Sequence, residues 1–510
     1  MSREGMVTGR DVMFPPDRPG GPEQGLMAVV ARNSAFVLAS QVLIRIAAFV
    51  FSVYVVRRLG AVQFGQYSTV MAYVAIFGIF TDLGMAPYSV REMAEDHQRT
   101  GWLLPNSVAI RLLLSLVVLF VAPLSAFWLG KEESLVWGIL IASAGQIVWA
   151  FQGPLACALI ARERLDYDAT FAFIERVVFW SLGTLALLGG MGFIGLILAS
   201  LVGVGARALL STWVLLRRLG TNRFELNMRR WPSLLHGALP FGVSGIAFML
   251  RQRFDTILMS FILSDQAVGW YNVPFNLIGM LLLLAFTVGQ AMYPSMARAH
   301  VREPDALRRL THRAVRYLLI LSLPIAVGGI ILAERIVVTL YTEEFMRSAL
   351  ILQVMLGALP SLFLLELLGR LANALHLERR LARVTVINAG ITVALNLVLV
   401  PALGVLGAAL AFVLSRTINL FQNLWLIGKD RLLGQRWGAL PRVFLAASLM
   451  GVAVFFLREF HLAVSIGVGA VLYGLLLFGL RVLEWREMTR LVRMIPWRRE
   501  AGRTVRGAAK

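Results

Sequence analysis

Long apolar runs, each able to cross roughly 30 Å of hydrocarbon at about 1.5 Å per residue, set the pattern of this chain. In the first half they predict helices over 33–56, 65–87, 106–128, 135–160, 170–190 and 194–216. After the basic stretch RRLGTNRFELNMRRW come 237–262, 268–293, 314–333, 348–376, 384–400 and 405–427, then a further pair at 442–457 and 462–480. The pattern predicts an all-α polytopic membrane protein of about 14 transmembrane helices.

Composition agrees and excludes a soluble globule: 58% of the 510 residues are hydrophobic and 15% charged. The net charge of +20 is almost wholly arginine, since the lysines are Lys131, Lys429 and Lys510. In a soluble chain that excess would suggest nucleic acid; here it reads as topology. Roughly 35 Lys and Arg fall on the side of the membrane that holds the N-terminus and roughly 6 on the other, which places both termini in the cytoplasm by the positive-inside rule. The single cysteine, Cys157, lies in an apolar run and reads as a core thiol.

Two echoes predict an internal repeat. Phe64-Gly65-Gln66-Tyr67 opens the second span and Val268-Gly269-Trp270-Tyr271 opens the eighth. Independently, Gly195 and Arg207 at the sixth span match Gly404 and Arg416 at the twelfth, with equal spacing in each copy. Two pseudo-symmetric six-helix lobes of the same orientation follow, enclosing a cavity near the bilayer midplane, with a C-terminal helix pair outside the repeat. The expected organisation is a disordered cytoplasmic tail over 1–31, lobes over 32–218 and 237–428 joined by a cytoplasmic linker at 219–236, the extra pair within 429–482, and a basic cytoplasmic tail over 483–510.

Charge inside the apolar runs supplies the candidate chemistry. The seventh span carries Arg251, Arg253 and Asp255 near its middle, where each charge costs about 2.5 to 3.5 kcal/mol on insertion scales. Arg251 and Asp255 share a face one turn apart and are expected to pair, while Arg253 points elsewhere. Arg45, Arg207, Arg370 and Arg416 complete a predicted cationic cavity, and Asp82, Glu175, Asp255 and Glu366 are the carboxylates that could couple to a proton or sodium ion. Glu366 and Arg370, one turn apart, could satisfy each other. Gln146, Gln252, Asn388, Asn396, Asn419 and Asn423 are candidate glycan-facing walls, although such groups more often join helices.

The stretch around Leu59, Gly60, Phe64, Gly65 and Tyr67, followed by Asp82, Leu83, Gly84 and Arg91, resembles the opening of the polysaccharide transporter family, the Wzx-type flippases of the MOP superfamily. Asp255 before VGWY, Pro294 ending the eighth span and ERIVVTLYTEEFMRSALILQ extend the likeness over about residues 30–430. Thr342 departs from it where glycine is expected. The resemblance implies a V-shaped, alternating-access fold that moves undecaprenyl-diphosphate-linked glycans from the cytoplasmic to the outer leaflet of a bacterial inner membrane. The alternatives are a murein-precursor (lipid II) flippase and a drug or metabolite antiporter of the same superfamily.

The residues suit that chemistry. Guanidinium stays charged and donates to phosphate oxygens in pairs. Enzymatic readings are weaker. Asp166-Tyr167-Asp168 forms a DxD that reads as a turn and helix N-cap, and the histidines lie mainly at span ends. No metal or cofactor is expected beyond the coupling ion. The expected partners are the lipid-linked glycan, the bilayer, and a polysaccharide polymerase with glycosyltransferases; nucleic acid is not among them, and the chain reads as a monomer.

Overall fold

The computed structural model describes residues 22–218, 225–428 and 440–482, and within them every regular element is helical. They divide between Ala48 and Phe49 into two compact units, with Arg45 in the first.

The first helix, α1 (Pro22–Asp82), merges the first two predicted spans and is broken at Gly60, with φ 70° and ψ 179°. Unbroken, it would run about 90 Å, three times the hydrocarbon thickness. It begins well before residue 33, inside the expected tail; residues 1–21 lie outside the described residues, as do 219–224, 429–439 and 483–510. The second limb of α1 ends at Leu83 and Gly84, both left-handed, and the chain re-enters helix as α2 (Met85–Glu95). There follow α3 (Thr100–Trp128), α4 (Glu133–Ala161), α5 (Leu165–Leu188) and α6 (Gly192–Arg218). The second half comprises α7 (Trp231–Ile262), α8 (Asp265–Arg302), α9 (Pro304–Tyr341), α10 (Arg347–Leu356), α11 (Leu359–Ala374), α12 (Glu378–Leu403) and α13 (Val405–Ile427), then α14 (Leu440–Phe456) and α15 (Leu462–Gly479).

Among the described residues ten helices are long and apolar enough to cross a membrane, or eleven if α10 and α11, bent by 48°, make one span. The difference from 14 has physical causes. The first two predicted spans share one broken helix, the 348–376 run bends before Leu359, and α14 is short for a span. The 219–236 linker is partly helical, since α7 already starts at Trp231.

In the first lobe α3 pairs with α4, α5 with α6, and α4 also packs on α2 and α6. In the second α12 pairs with α13 and α7, while α8 packs on α9, α10 and α11, and α9 on α10 and α11. The terminal pair lies on α9, where the Tyr473 hydroxyl donates to the Ile320 carbonyl at 2.9 Å and Arg335 donates to the carbonyls of Glu459 and Phe460.

The first sequence echo survives in space. Gly65 and Gly269 hold the same position in the second limb of α1 and in α8, and there the two helices cross in contact. A Cβ on Gly65 would stand 1.8 Å from the Asp265 carbonyl oxygen, and one on Gly269 2.2 Å from that of Ala61. The second echo shifts register. Gly404, with φ 60°, immediately precedes α13, but its conformational counterpart is Gly192 (φ 58°), which opens α6, and not Gly195. Arg207 therefore lies about 22 Å along α6 from its glycine, against about 18 Å for Arg416 along α13.

Two ends of the bundle can be told apart. One, the basic face, holds the turns at 96–99, 162–164 and 303, together with the junction where Trp231 Nε1 donates to Asn106 Oδ1 at 2.8 Å. The opposite face holds Gly60, the 129–132 turn and the starts of α6, α8 and α13, as well as residues 342–346. There Gln66 donates to Glu132 at 3.0 Å, and burial lowers the Lys131 ammonium against the opposing pull of Asp265 and Glu132.

Candidate functional site

The seventh-span charges converge with α8 and α13 on one cluster in the second lobe. Arg253 lies about 14 Å from the α7 end at Ile262, near the middle of a hydrocarbon layer of roughly 30 Å. Arg416, about 17 Å from the start of α13, is level with it.

Asp255 is 6% exposed and does not pair with Arg251 as the one-turn spacing suggested. Its carboxylate accepts from the Tyr271 hydroxyl of α8 and, at 2.7 Å, from the Thr256 amide. Those donors meet the requirement that a buried carboxylate be hydrogen-bonded, so the ion pair is not needed. Arg251 turns to the Phe248 ring, 5.6 Å from its centroid. Arg253 lies over Phe275 at 5.9 Å, and its charge also reaches Tyr67 of the first lobe. Phe275 is stacked on Tyr271 at 6.2 Å and meets Phe412 edge-on at 6.1 Å, so aromatic rings floor the cluster.

Arg416 is 6% exposed and donates to the Gln252 side-chain oxygen at 3.0 Å and, at 3.4 Å, to the Arg251 carbonyl. Among the described residues none of Arg251, Arg253 and Arg416 makes a salt bridge, although the charges of Arg253 and Arg416 act on Asp255. Three guanidiniums against one carboxylate leave an excess of two positive charges at mid-depth. That is the complement of a diphosphate, which guanidinium recognises through paired donors.

The other predicted charges are elsewhere. Arg207 is held by Asp168 at 2.7 Å and Glu175 at 2.9 Å, joining α5 to α6. The DxD was expected to cap α5, but the N-cap is Arg164; Asp166 and Asp168 lie inside the first turn, where they face the helix dipole without capping it. Arg370 is paired with Glu366 at 2.8 Å and stands over Phe286 at 4.9 Å; a Cβ on Gly289 would come within 2.8 Å of it. Asp82 binds Arg111 and accepts from the Ala86 amide at 3.2 Å, so it caps the start of α2. Arg45 is exposed and belongs to the separate first unit. The cationic residues thus form one cluster and several clamps in place of one continuous lining.

Arg111 was not among the candidates, although an arginine inside the 106–128 run is as conspicuous as the others. Tyr271 was visible in VGWY, but its hydroxyl partner was not. Three of the six amide candidates join helices: Asn388 donates to the Ser415 carbonyl at 3.1 Å, Gln146 to the Val74 carbonyl at 3.3 Å, and Gln252 accepts from Arg416; Asn396 donates to the Thr392 carbonyl within α12 and Asn423 to Asn419 within α13.

Comparison with known proteins fits this architecture. Residues 30–300 match the family model described as polysaccharide biosynthesis protein, and residues 177–474 match that of the lipid II flippase MurJ. A probable low-salt glycan biosynthesis flippase of Haloferax volcanii is 22% identical over 70% of this chain and 74% of its own. A probable flippase of the same organism, AglR, is 27% identical over 44% of this chain and 50% of its own. A probable lipid II flippase MurJ of Haemophilus influenzae is 27% identical over 47% and 53%. The chain spans about half the length of these last two relatives. Among solved structures, lipid II flippase MurJ in an inward closed conformation superposes with a TM-score of 0.66 at 14% identity, over 84% of this chain and 97% of that one. An inward-facing multidrug resistance MATE transporter of the MOP superfamily gives 0.58 at 14% identity, over 74% and 93%. At such identities the structural likeness speaks for the fold. Each family model covers more than half of the sequence, and on that ground this multi-pass helical membrane protein belongs to the polysaccharide biosynthesis protein family.

Proposed function

We propose that the protein is an alternating-access flippase that moves an undecaprenyl-diphosphate-linked oligosaccharide from the cytoplasmic to the outer leaflet of a bacterial inner membrane, for cell-surface polysaccharide synthesis. The observation that carries this reading is the uncompensated guanidinium cluster of Arg251, Arg253 and Arg416 at mid-depth. The names of the similar proteins support it. On this reading the basic face is cytoplasmic, both termini lie there, the chain acts as a monomer, and a polymerase and glycosyltransferases of the same pathway are its partners.

The electrostatics favour outward movement. One charge crossing the membrane is worth about 2.3 kcal/mol per 100 mV, so a diphosphate of two charges leaving a negative interior gains about 4.6 kcal/mol. The cationic site must then return empty, and Asp255 is the carboxylate placed to compensate. Of the four candidates it alone has no guanidinium within salt-bridge distance among the described residues. Ionised, Asp255 offsets part of the arginine charge in the empty carrier; a proton or sodium ion bound there would neutralise it and leave all three guanidiniums to the diphosphate.

A second reading, a lipid II flippase, is favoured by the match over residues 177–474. The deciding experiment is deletion with leaflet-resolved analysis of lipid-linked sugars. The oligosaccharide reading expects a non-murein glycan lipid to accumulate on the cytoplasmic leaflet. Accumulation of lipid II would select the second reading, and drug sensitivity with no trapped lipid would dismiss both.

A further inference from the structure

At the opposite face the lobes exchange helix caps. Arg57, just before the Gly60 break, donates through Nε to the Leu340 carbonyl at 2.7 Å and through Nη2 to the Thr339 carbonyl at 2.5 Å. These belong to the last turn of α9, whose carbonyls have no partner within the helix and whose dipole favours a cation. In return Glu344, just beyond α9, accepts from the Ala61 amide at 2.7 Å, the first amide of the returning limb of α1. There the dipole favours an anion. Gly60 makes the approach possible, because a Cβ at that position would stand 2.9 Å from the Glu344 carboxylate. The Glu344 carbonyl is also taken by Trp270 Nε1 at 3.1 Å, beside the Gly65–Gly269 crossing.

We propose that Arg57 and Glu344 form a reciprocal capping latch that holds the lobes together at the face opposite the basic one. Each lobe supplies the charge that a helix end of the other lacks, so parting the lobes exposes four groups at once: the Ala61 amide, two α9 carbonyls and a carboxylate. The latch is therefore cooperative and specific to the closed state. Thr342 tunes it. Its φ of 113° is one that a β-branched residue adopts only with strain, and it heads the turn that delivers Glu344. The strain is released when the turn moves, so threonine here weakens the latch relative to glycine.

The proposal rests on the alternating-access reading but not on the substrate, and its test needs none. In a Cys157→Ser background, spin labels at Met191→Cys and Leu403→Cys report the distance between lobes at this face; both positions are exposed. In proteoliposomes free of glycan lipid, the parent protein is expected to give a dominant short distance. Arg57→Ala and Glu344→Ala should each transfer most of the distribution to longer distances, Glu344→Gln less, and Thr342→Gly should sharpen the short population. If an alanine variant does not insert, Arg57→Lys and Glu344→Gln carry the same comparison. Parent-like distances in all the inserted latch variants would overturn the latch while leaving the flippase reading intact. Opened distances in a protein that moves no glycan lipid would uphold the latch and sink the flippase reading.

Discussion

Arg207 and Arg416 occupy echoing positions in the two lobes, yet their surroundings differ in kind. Arg207 sits between Asp168 and Glu175, so its charge is spent inside the first lobe. Arg416 is held by an amide oxygen and a backbone carbonyl, which orient the guanidinium without neutralising it. The register shift between Gly192 and Gly404 gives the reason. Further from its glycine, Arg207 lies nearer the basic face, where the first turns of α5 carry acids, whereas Arg416 lies at mid-depth among aromatic rings. A repeated arginine thus became a clamp in one copy and an available charge in the other.

The comparison breaks most severely at the available charges. Arg253→Ala is expected to insert and fold normally but to lower transport by about 100-fold, as loss of one or two charge-assisted hydrogen bonds implies. Full transport by that variant in reconstituted vesicles would count against the cationic cluster. Next comes Arg207→Ala, which leaves two carboxylates facing each other. It should cost about 3 kcal/mol, at the low end for a broken buried pair because the carboxylates keep a fifth of their surface exposed. Thermal unfolding in detergent reads this, and Arg207→Leu combined with Asp168→Asn and Glu175→Gln should restore most of it. A stable Arg207→Ala protein with lost transport would make the two lobes alike after all.

Asp255→Asn should leave downhill flipping largely intact while removing its response to proton or sodium gradients; an unchanged gradient response would remove Asp255 from the coupling role. The smallest effect belongs to Tyr271→Phe, which removes one donor from Asp255 and should cost about 1 kcal/mol of stability with transport retained.

Much of the fold was legible because hydrocarbon imposes a length and a composition on whatever crosses it. The FGQY and VGWY echo likewise pointed to the crossing where two glycines touch. Less legible were the breaks. Hydropathy registers the apolar content of Ala61–Asp82 and α10–α11 but is blind to left-handed turns at Leu83 and Gly84 or to a 48° bend. At the site, the charged residues on α7 were evident, but the Arg251–Asp255 pair was not formed, because Tyr271, distant in sequence, supplies a nearer donor.

The sequence alone determined that this chain crosses a membrane many times, that it is doubled, and that arginine lies where lipid would reject it. Hydropathy, periodicity and composition are local properties, and the bilayer reads them locally. Only the tertiary structure decided which arginines are spent and which remain available, because neutralisation depends on what another helix brings within a few ångströms. It also decided that Arg57 and Glu344, unremarkable in their own segments, cap each other's helices across the lobes.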